Sequence, residues 1–277
     1  MAETATPRPL HLEKSSTRYH MISAGGHCLR VQWQKPDNVN SFTLIFLHEG
    51  LGSITQWKDI PTVLGETTGF GTLNYDRFGY GGSAPLTTPY NRPIDSMQIE
   101  ARDTIPDLLD NFDIKRAVLF GHSDGGTIAL LAAAAGDQRI KGVIAEAAHL
   151  FVEGESLNSI RSVHNEWATG DLRKRLERHH GDNVDGAFFG WANLWLDPAF
   201  ASFNICEELG RITCPVLAIQ GTKDMYGTLR QIDAIKKSIP EVVETLILPD
   251  CGHIPHLEQR DIVVKRIITF LRTRIQC

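Results

Sequence analysis

The stretch Ala117–Leu131 constrains this chain more than any other. Ala117-Val118-Leu119-Phe120 is an apolar run that reads as a buried strand. Thr127-Ile128-Ala129-Leu130-Leu131 opens an alanine- and leucine-rich run that reads as a buried helix. Between them Gly121-His122-Ser123-Asp124-Gly125 has to reverse the chain in a very tight turn, with Ser123 at its apex. Neighbours of a residue in such a turn cannot carry side chains without striking the strand or the helix, and glycine alone tolerates that approach freely. A serine raised on a strained strand-to-helix bend is exposed to attack a substrate, so the stretch predicts both a local fold and a chemistry.

The composition is that of an ordinary globular protein with a sizeable core. The chain has 277 residues, 42% hydrophobic and 22% charged, enough for one large α/β domain with an insertion. A net charge of -5 favours neither nucleic acid nor an anionic membrane surface. No apolar run approaches the length of a membrane-spanning helix. The opening residues Met1–Pro7 lack a basic region followed by an apolar one, so a secretory signal is not expected. The five cysteines (Cys28, Cys206, Cys214, Cys251 and Cys277) are odd in number and show no close pair, which reads as free thiols in a reducing, cytoplasmic compartment. Cys251 precedes His253 by two positions and is expected to be a small buried residue.

Taken in order, residues 1–17 read as a polar arm. Tyr19–Ser23 and Cys28–Gln34 alternate around Gly25-Gly26 and predict a hairpin. Phe42–Leu47 is a near-continuous apolar strand, as in the centre of a parallel sheet. A helix is expected over Gln56–Gly69, a strand over Gly71–Tyr75, a helix over Ser96–Phe112 and a strand over Ile140–Ala147. Residues 150–206 change character: Phe151, Trp167, Phe189, Trp191, Trp195 and further aromatics concentrate there among charges. That segment reads as a helical cap, with Phe189, Trp191 and Trp195 as candidates for lining a substrate pocket or for forming the cap's own core. The core resumes with a strand over Cys214–Gln220, a helix over Leu229–Ser238, a strand over Glu244–Leu248 and a closing helix over Leu257–Ile275. The alternation predicts an α/β fold with a doubly wound, mostly parallel sheet. Its domains are a core from 1–149 and 207–277 and a helical cap at 150–206.

Along essentially its whole length the chain resembles the α/β-hydrolases. The elbow Gly121–Gly125 matches theirs, and Asp76-Arg77-Phe78-Gly79-Tyr80-Gly81-Gly82-Ser83 resembles a loop that is structural in that family. Ser123, Asp224 and His253 follow the family's Ser…Asp…His order. Each follows a predicted strand, so all three can meet at the strands' carboxyl ends. The resemblance implies Ser123 as nucleophile, His253 as base and Asp224 as the acid that orients it. Glu146 and Glu153 are rival acids, and His256 is a rival base. Asp224 can also be read as the cap of the helix that follows it. His48 and His122 flank backbone devices and are expected to be hydrogen-bonded structural residues. After the central strand, His48-Glu49-Gly50-Leu51-Gly52-Ser53 is the expected oxyanion loop. Its donors would be the amide of Gly50 first and Glu49 second, with the amide of Asp124 opposite. His179-His180 lacks other clustered ligands, so neither a metal nor any other cofactor is expected.

The reaction expected is hydrolysis of small carboxylic esters through an acyl-enzyme. The elbow, with aspartate after the serine, is similar to that of family members that cleave amino-acid esters, where this aspartate binds the ammonium group. That implies substrate recognition by Asp124, with Glu49 adding negative potential; the other reading has Asp124 steadying the elbow helix. Two alternatives use the same fold. One is a carbon–carbon bond hydrolase of aromatic ring-cleavage products, and the other is a ligand receptor that keeps its triad. The expected partner is a small-molecule ester; the oligomeric state is not legible.

Overall fold

The computed structural model describes residues 19–36, 38 and 41–276, so the arm at 1–17 and Cys277 lie outside the described residues. Eight strands form one sheet in the order β1-β2-β4-β3-β5-β6-β7-β8. They are β1 (Tyr19–Ala24), β2 (His27–Gln34), β3 (Thr43–Leu47), β4 (Gly71–Tyr75), β5 (Ala117–His122), β6 (Ile140–Glu146), β7 (Val216–Gly221) and β8 (Val243–Leu248). The β1–β2 hairpin turns on Gly25 and Gly26, both at positive φ, and β2 joins β4 antiparallel. Every pairing from β4 to β8 is parallel. Strands β3, β4, β5 and β7 are buried throughout because helices cover both faces.

The helices are α1 (Ile60–Thr68), α2 (Ser96–Ile99), α3 (Ile105–Asn111), α4 (Asp124–Ala134), α5 (Gly154–Thr169), α6 (Leu172–His180), α7 (Val184–Leu196), α8 (Cys206–Leu209), α9 (Leu229–Ser238), α10 (Pro255–Glu258) and α11 (Arg260–Phe270). Three predicted helices are interrupted, each for a local reason. The one expected over 96–112 contains a wide π-turn at Glu100–Thr104. Pro106 follows it and cannot supply the amide that a continuous helix would need there. The helix expected from residue 56 begins at Ile60, with Pro61 in its first turn, after a 3-10 turn and Lys58 at φ 55°. The closing helix breaks at Gln259, whose φ and ψ of -128° and 49° are not helical, and ends in a second π-turn at Leu271–Ile275.

One face of the sheet packs Phe46, Phe120 and Ile219 against Trp57 and Leu64 near or in α1 and Phe270 at the end of α11. On the other face α4 is buried over all eleven residues, beneath Trp191 and Trp195 of α7. Helices α5–α7 enter between β6 and β7, and an antiparallel bridge from Phe151 to Asn204 ties the two ends of that segment together. Among the described residues no helix is long and apolar enough to cross a membrane.

Candidate active site

The elbow is built by exclusion of side chains. A Cβ on Gly121 would stand 2.0 Å from the Gly125 carbonyl oxygen, and one on Gly125 would stand 2.0 Å from the Leu47 carbonyl oxygen. Strand β5 and helix α4 therefore approach each other at backbone distance, and Ser123 is left at φ 53° and ψ -118°. A non-glycine residue there stores about 1–3 kcal/mol, which surrounding contacts must hold. The Ser123 amide donates to the Glu146 carbonyl at 2.8 Å and its carbonyl accepts from Thr127 at 3.0 Å, pinning the bend on both sides. Gly125→Ala should lower unfolding free energy by about 3 kcal/mol or more, read from urea melts, because the added methyl meets backbone that cannot rotate away.

Ser123, His253 and the backbone that carries Gly50 line one cavity of about 440 Å³. The Asp124 amide is the first of α4, so it has no helical acceptor and is free to donate. Gly50 lies against the roof: a Cβ there would be 2.2 Å from the Trp191 indole. Trp191 and Trp195 line the cavity; Phe189 does not. It stands in a separate aromatic cluster, 5.7 Å from Trp167 and 6.2 Å from Tyr90 between ring centres. The period of α7 carries it off the roof face that Trp191 and Trp195 share.

Three histidines meet here, and each has its own carboxylate. His253 Nδ1 donates to Asp224 at 2.8 Å, and Asp224 also accepts from Gln220 Nε2 at 2.7 Å and the Tyr226 amide at 2.8 Å. Burial pushes the Asp224 carboxyl up, but the His253 bond and charge and the Tyr226 amide outweigh it and hold it below its usual range. His256 Nδ1 pairs with Glu146 at 2.6 Å, stacked against Trp57, so the rival acid and the rival base pair with each other. Glu153 accepts from the amide and hydroxyl of Thr228 at 2.9 Å and 2.7 Å, which anchors the start of α9. The third pair is His122 with Glu49, a contact of 3.4 Å, and His122 Nε2 also donates to the His253 carbonyl at 2.7 Å.

His122 thus bridges the loop of Glu49 to the loop of His253. Burial lowers its pKa, but the Glu49 bond and charge, the Glu146 charge and the His253 carbonyl outweigh that and carry it up to about 9. Burial likewise raises Glu49, and His122 overrides it to hold that carboxyl well below 4.5. The folded pKa of His122 lies above the unfolded 6.5, so its stabilisation is complete below pH 6.5 and is lost as pH rises through 9. Unfolding free energy in urea should fall by about 1–3 kcal/mol over that window. Glu49→Gln should flatten this slope.

His122, Glu146 and His256 also bring three ligand-type atoms within 4.8 Å of one another. The donor set does not fit a metal. His122 Nε2 carries the proton given to the His253 carbonyl, and its Nδ1 faces Glu49, so neither nitrogen has a lone pair to offer. His179 and His180 act separately: His179 Nδ1 meets the Thr55 hydroxyl at 2.7 Å, and His180 accepts from the Gly81 amide at 3.0 Å. His48 accepts from the Arg77 amide at 3.0 Å, and burial drives its pKa well down. Asp76 accepts from the Ile54 and Gly82 amides and from Arg30, a loop-building role. Cys251 is buried, which pushes its thiol up to about 11.

Asp124 is on the cavity wall but its carboxylate is already engaged. Oδ1 accepts from the Trp195 indole at 3.1 Å, and Oδ2 lies 3.9 Å from the buried Arg77 guanidinium. Arg77 in turn donates to Glu100 at 2.9 Å. Burial raises the Asp124 carboxyl, with Arg77 and Trp195 opposing. No local pattern marks Arg77 or His149, a further wall residue. Both are distant in sequence from the elbow, and His149 stands just beyond the carboxyl end of β6, a position at which sites gather in such sheets.

With that geometry, the chain belongs to the alpha/beta hydrolase family, whose model matches residues 44–266. It is 30% identical over 212 residues to the human protein named Serine hydrolase BPHL, an alignment covering 73% of this chain and 70% of that one. The mouse protein of the same name is 28% identical over 209 residues, with the same coverage. Among solved structures, a thermophilic esterase from Thermogutta terrifontis superposes with a TM-score of 0.71 at 19% identity, covering 92% of this chain and 98% of that one. A proline iminopeptidase from Mycobacterium smegmatis gives 0.70 at 19% identity, over 93% and 98%. The protein is an enzyme of hydrolase type.

Proposed function

We propose that the chain is a serine esterase acting on small, uncharged carboxylic esters. One observation carries the reading: a serine held at strained φ shares a cavity with a histidine whose Nδ1 is fixed by its own buried carboxylate. In this reading His253 Nε2 takes the Ser123 proton as Oγ attacks the scissile carbonyl. Asp224 keeps the imidazole in the tautomer that can accept it. The oxyanion forms between the amides of Gly50 and Asp124, the leaving alcohol takes its proton from His253, and water frees the acyl group by the same steps. Helices α5–α7 serve as the cap within 150–206, with Trp191 and Trp195 as roof.

The preference for uncharged acyl groups rests on Asp124. A substrate ammonium would meet a carboxylate that Trp195 and Arg77 already occupy. The amino-acid ester reading needs that carboxylate to change partners. The test is a panel of esters matched with and without an α-amino group, assayed in wild type and Asp124→Asn, with a ring-cleavage diketone as a further substrate. We expect wild type to favour the neutral member of each pair and the variant to lose similar activity on both. A loss confined to aminoacyl esters would give Asp124 back to the ammonium. Faster turnover of the diketone than of every ester would replace the esterase reading.

A further inference from the structure

We infer that His149 is a specificity-determining residue, donating a hydrogen bond to an oxygen on the acyl part of the substrate, such as a keto or hydroxyl group. The inference rests on the esterase reading above and adds the class of acyl group. His149 lines the cavity, is only 3% exposed, and its ring lies 6.0 Å from that of His253 and 5.1 Å from that of Trp195. Its backbone is fixed twice to α4: the amide donates to Thr127 Oγ1 at 3.0 Å, and the carbonyl accepts from the same hydroxyl at 2.8 Å. The ring has no such tether. Among the described residues its buried Nδ1 has no hydrogen-bond partner.

Neither ring nitrogen makes a hydrogen bond among the described residues, and leaving buried polar atoms unpaired costs about 1–3 kcal/mol, so an uncommitted imidazole beside the reacting centre calls for a reason. Every other histidine around the serine is committed: His253 to Asp224, His122 to Glu49 and His256 to Glu146. His149 is also held neutral. Burial lowers its pKa to about 3, helped by the charges of His253 and His122 against that of Asp224. A neutral imidazole has one N–H and one bare nitrogen. Gly227 closes the Cε1–Nδ1 edge: a Cβ there would sit 3.2 Å from Cε1 and 3.3 Å from Nδ1, and glycine offers that edge no side-chain acceptor. The cheaper tautomer leaves Nδ1 bare and puts the proton on Nε2, the ring nitrogen that is not against Gly227. The partner that completes it is an acceptor oxygen. Its place near both His253 and Trp195 puts that oxygen within a few bonds of the scissile carbonyl.

The test compares ethyl 3-oxobutanoate with ethyl butanoate in wild type, His149→Phe and His149→Gln. Phenylalanine keeps the ring volume and removes both nitrogens, while glutamine restores a donor. The ratio of kcat/KM for the oxo ester over the plain ester should fall about tenfold in His149→Phe, mainly through KM, and recover in part in His149→Gln. An unchanged ratio, or equal losses on both esters, would overturn the inference. Calorimetric binding of the two esters to Ser123→Ala protein, with and without His149→Phe, reads the same contact without turnover. A binding preference lost with His149 supports the inference even where no ester is cleaved, so its failure and that of the esterase reading are separable. No binding preference in protein that does cleave esters would overturn it.

Discussion

Replacing Ser123 with alanine is expected to lower ester turnover by about 10⁴- to 10⁶-fold, because the esterase reading makes its hydroxyl the group that bonds to the acyl carbon. Labelling by a fluorophosphonate should disappear with it. The fold should survive, since the pins on the elbow are backbone bonds to Glu146 and Thr127 that alanine retains. Ser123→Gly sharpens the experiment. Glycine adopts φ 53° without strain, so this variant should be as inactive as alanine yet melt at a higher temperature. Undiminished labelling of either variant would remove Ser123 from the mechanism.

Asp224→Asn is expected to cost about 10⁴-fold in kcat. Asparagine fits the space, but the site surrounds it with three donors: Gln220 Nε2, the Tyr226 amide and His253 Nδ1. The carbonyl oxygen of an asparagine satisfies two of them, and its NH₂ faces the third. If His253 is the one left out, its proton moves to Nε2, and the ring can no longer accept from Ser123. Glu146 cannot substitute, because it is bound to the side chain and backbone of His256. Glu146→Gln should therefore leave turnover within about threefold of wild type while lowering unfolding free energy, as expected for a broken buried pair. Activity of Asp224→Asn above about one hundredth of wild type would point to another acid.

The parts legible in the sequence are those written in local pattern. Gly121 and Gly125 announce the tight bend, the apolar run at 42–47 reads as a buried parallel strand for the reason it is buried, and 71–75 and 214–220 read as strands. Helix interruptions were less legible, because Pro106 acts through the carbonyl that loses its donor and Gln259 through its own non-helical backbone, and a smooth apolar pattern hides both. The pairing of carboxylates was not legible. Glu49 finds His122 across 73 positions, and Glu146 finds His256 across 110. Sequence could rank Asp224, Glu146 and Glu153 only by their strand ends, while the contacts assign each a different partner. Arg77 belongs with these: its approach to Asp124 turns a candidate cation receptor into a carboxylate already paired.

The layering of the sheet also bears on how the molecule comes to exist. Strand β5 occupies the middle of the sheet, and the face formed by Phe46, Phe120 and Ile219 is closed by Val263, Ile267 and Phe270 of the last helices. During synthesis from the amino terminus, the elbow is made long before the residues that cover it. The strand that carries Ser123 waits with an apolar side open until α11 emerges. Chains stalled or cut before α11 would present that face to other chains, and the strand-rich, long-range pairing makes closure slow. His253 lies just ahead of the same late segment. Completion of the site and burial of the aggregation-prone face are thus one event, so a chain released early would be both inactive and sticky.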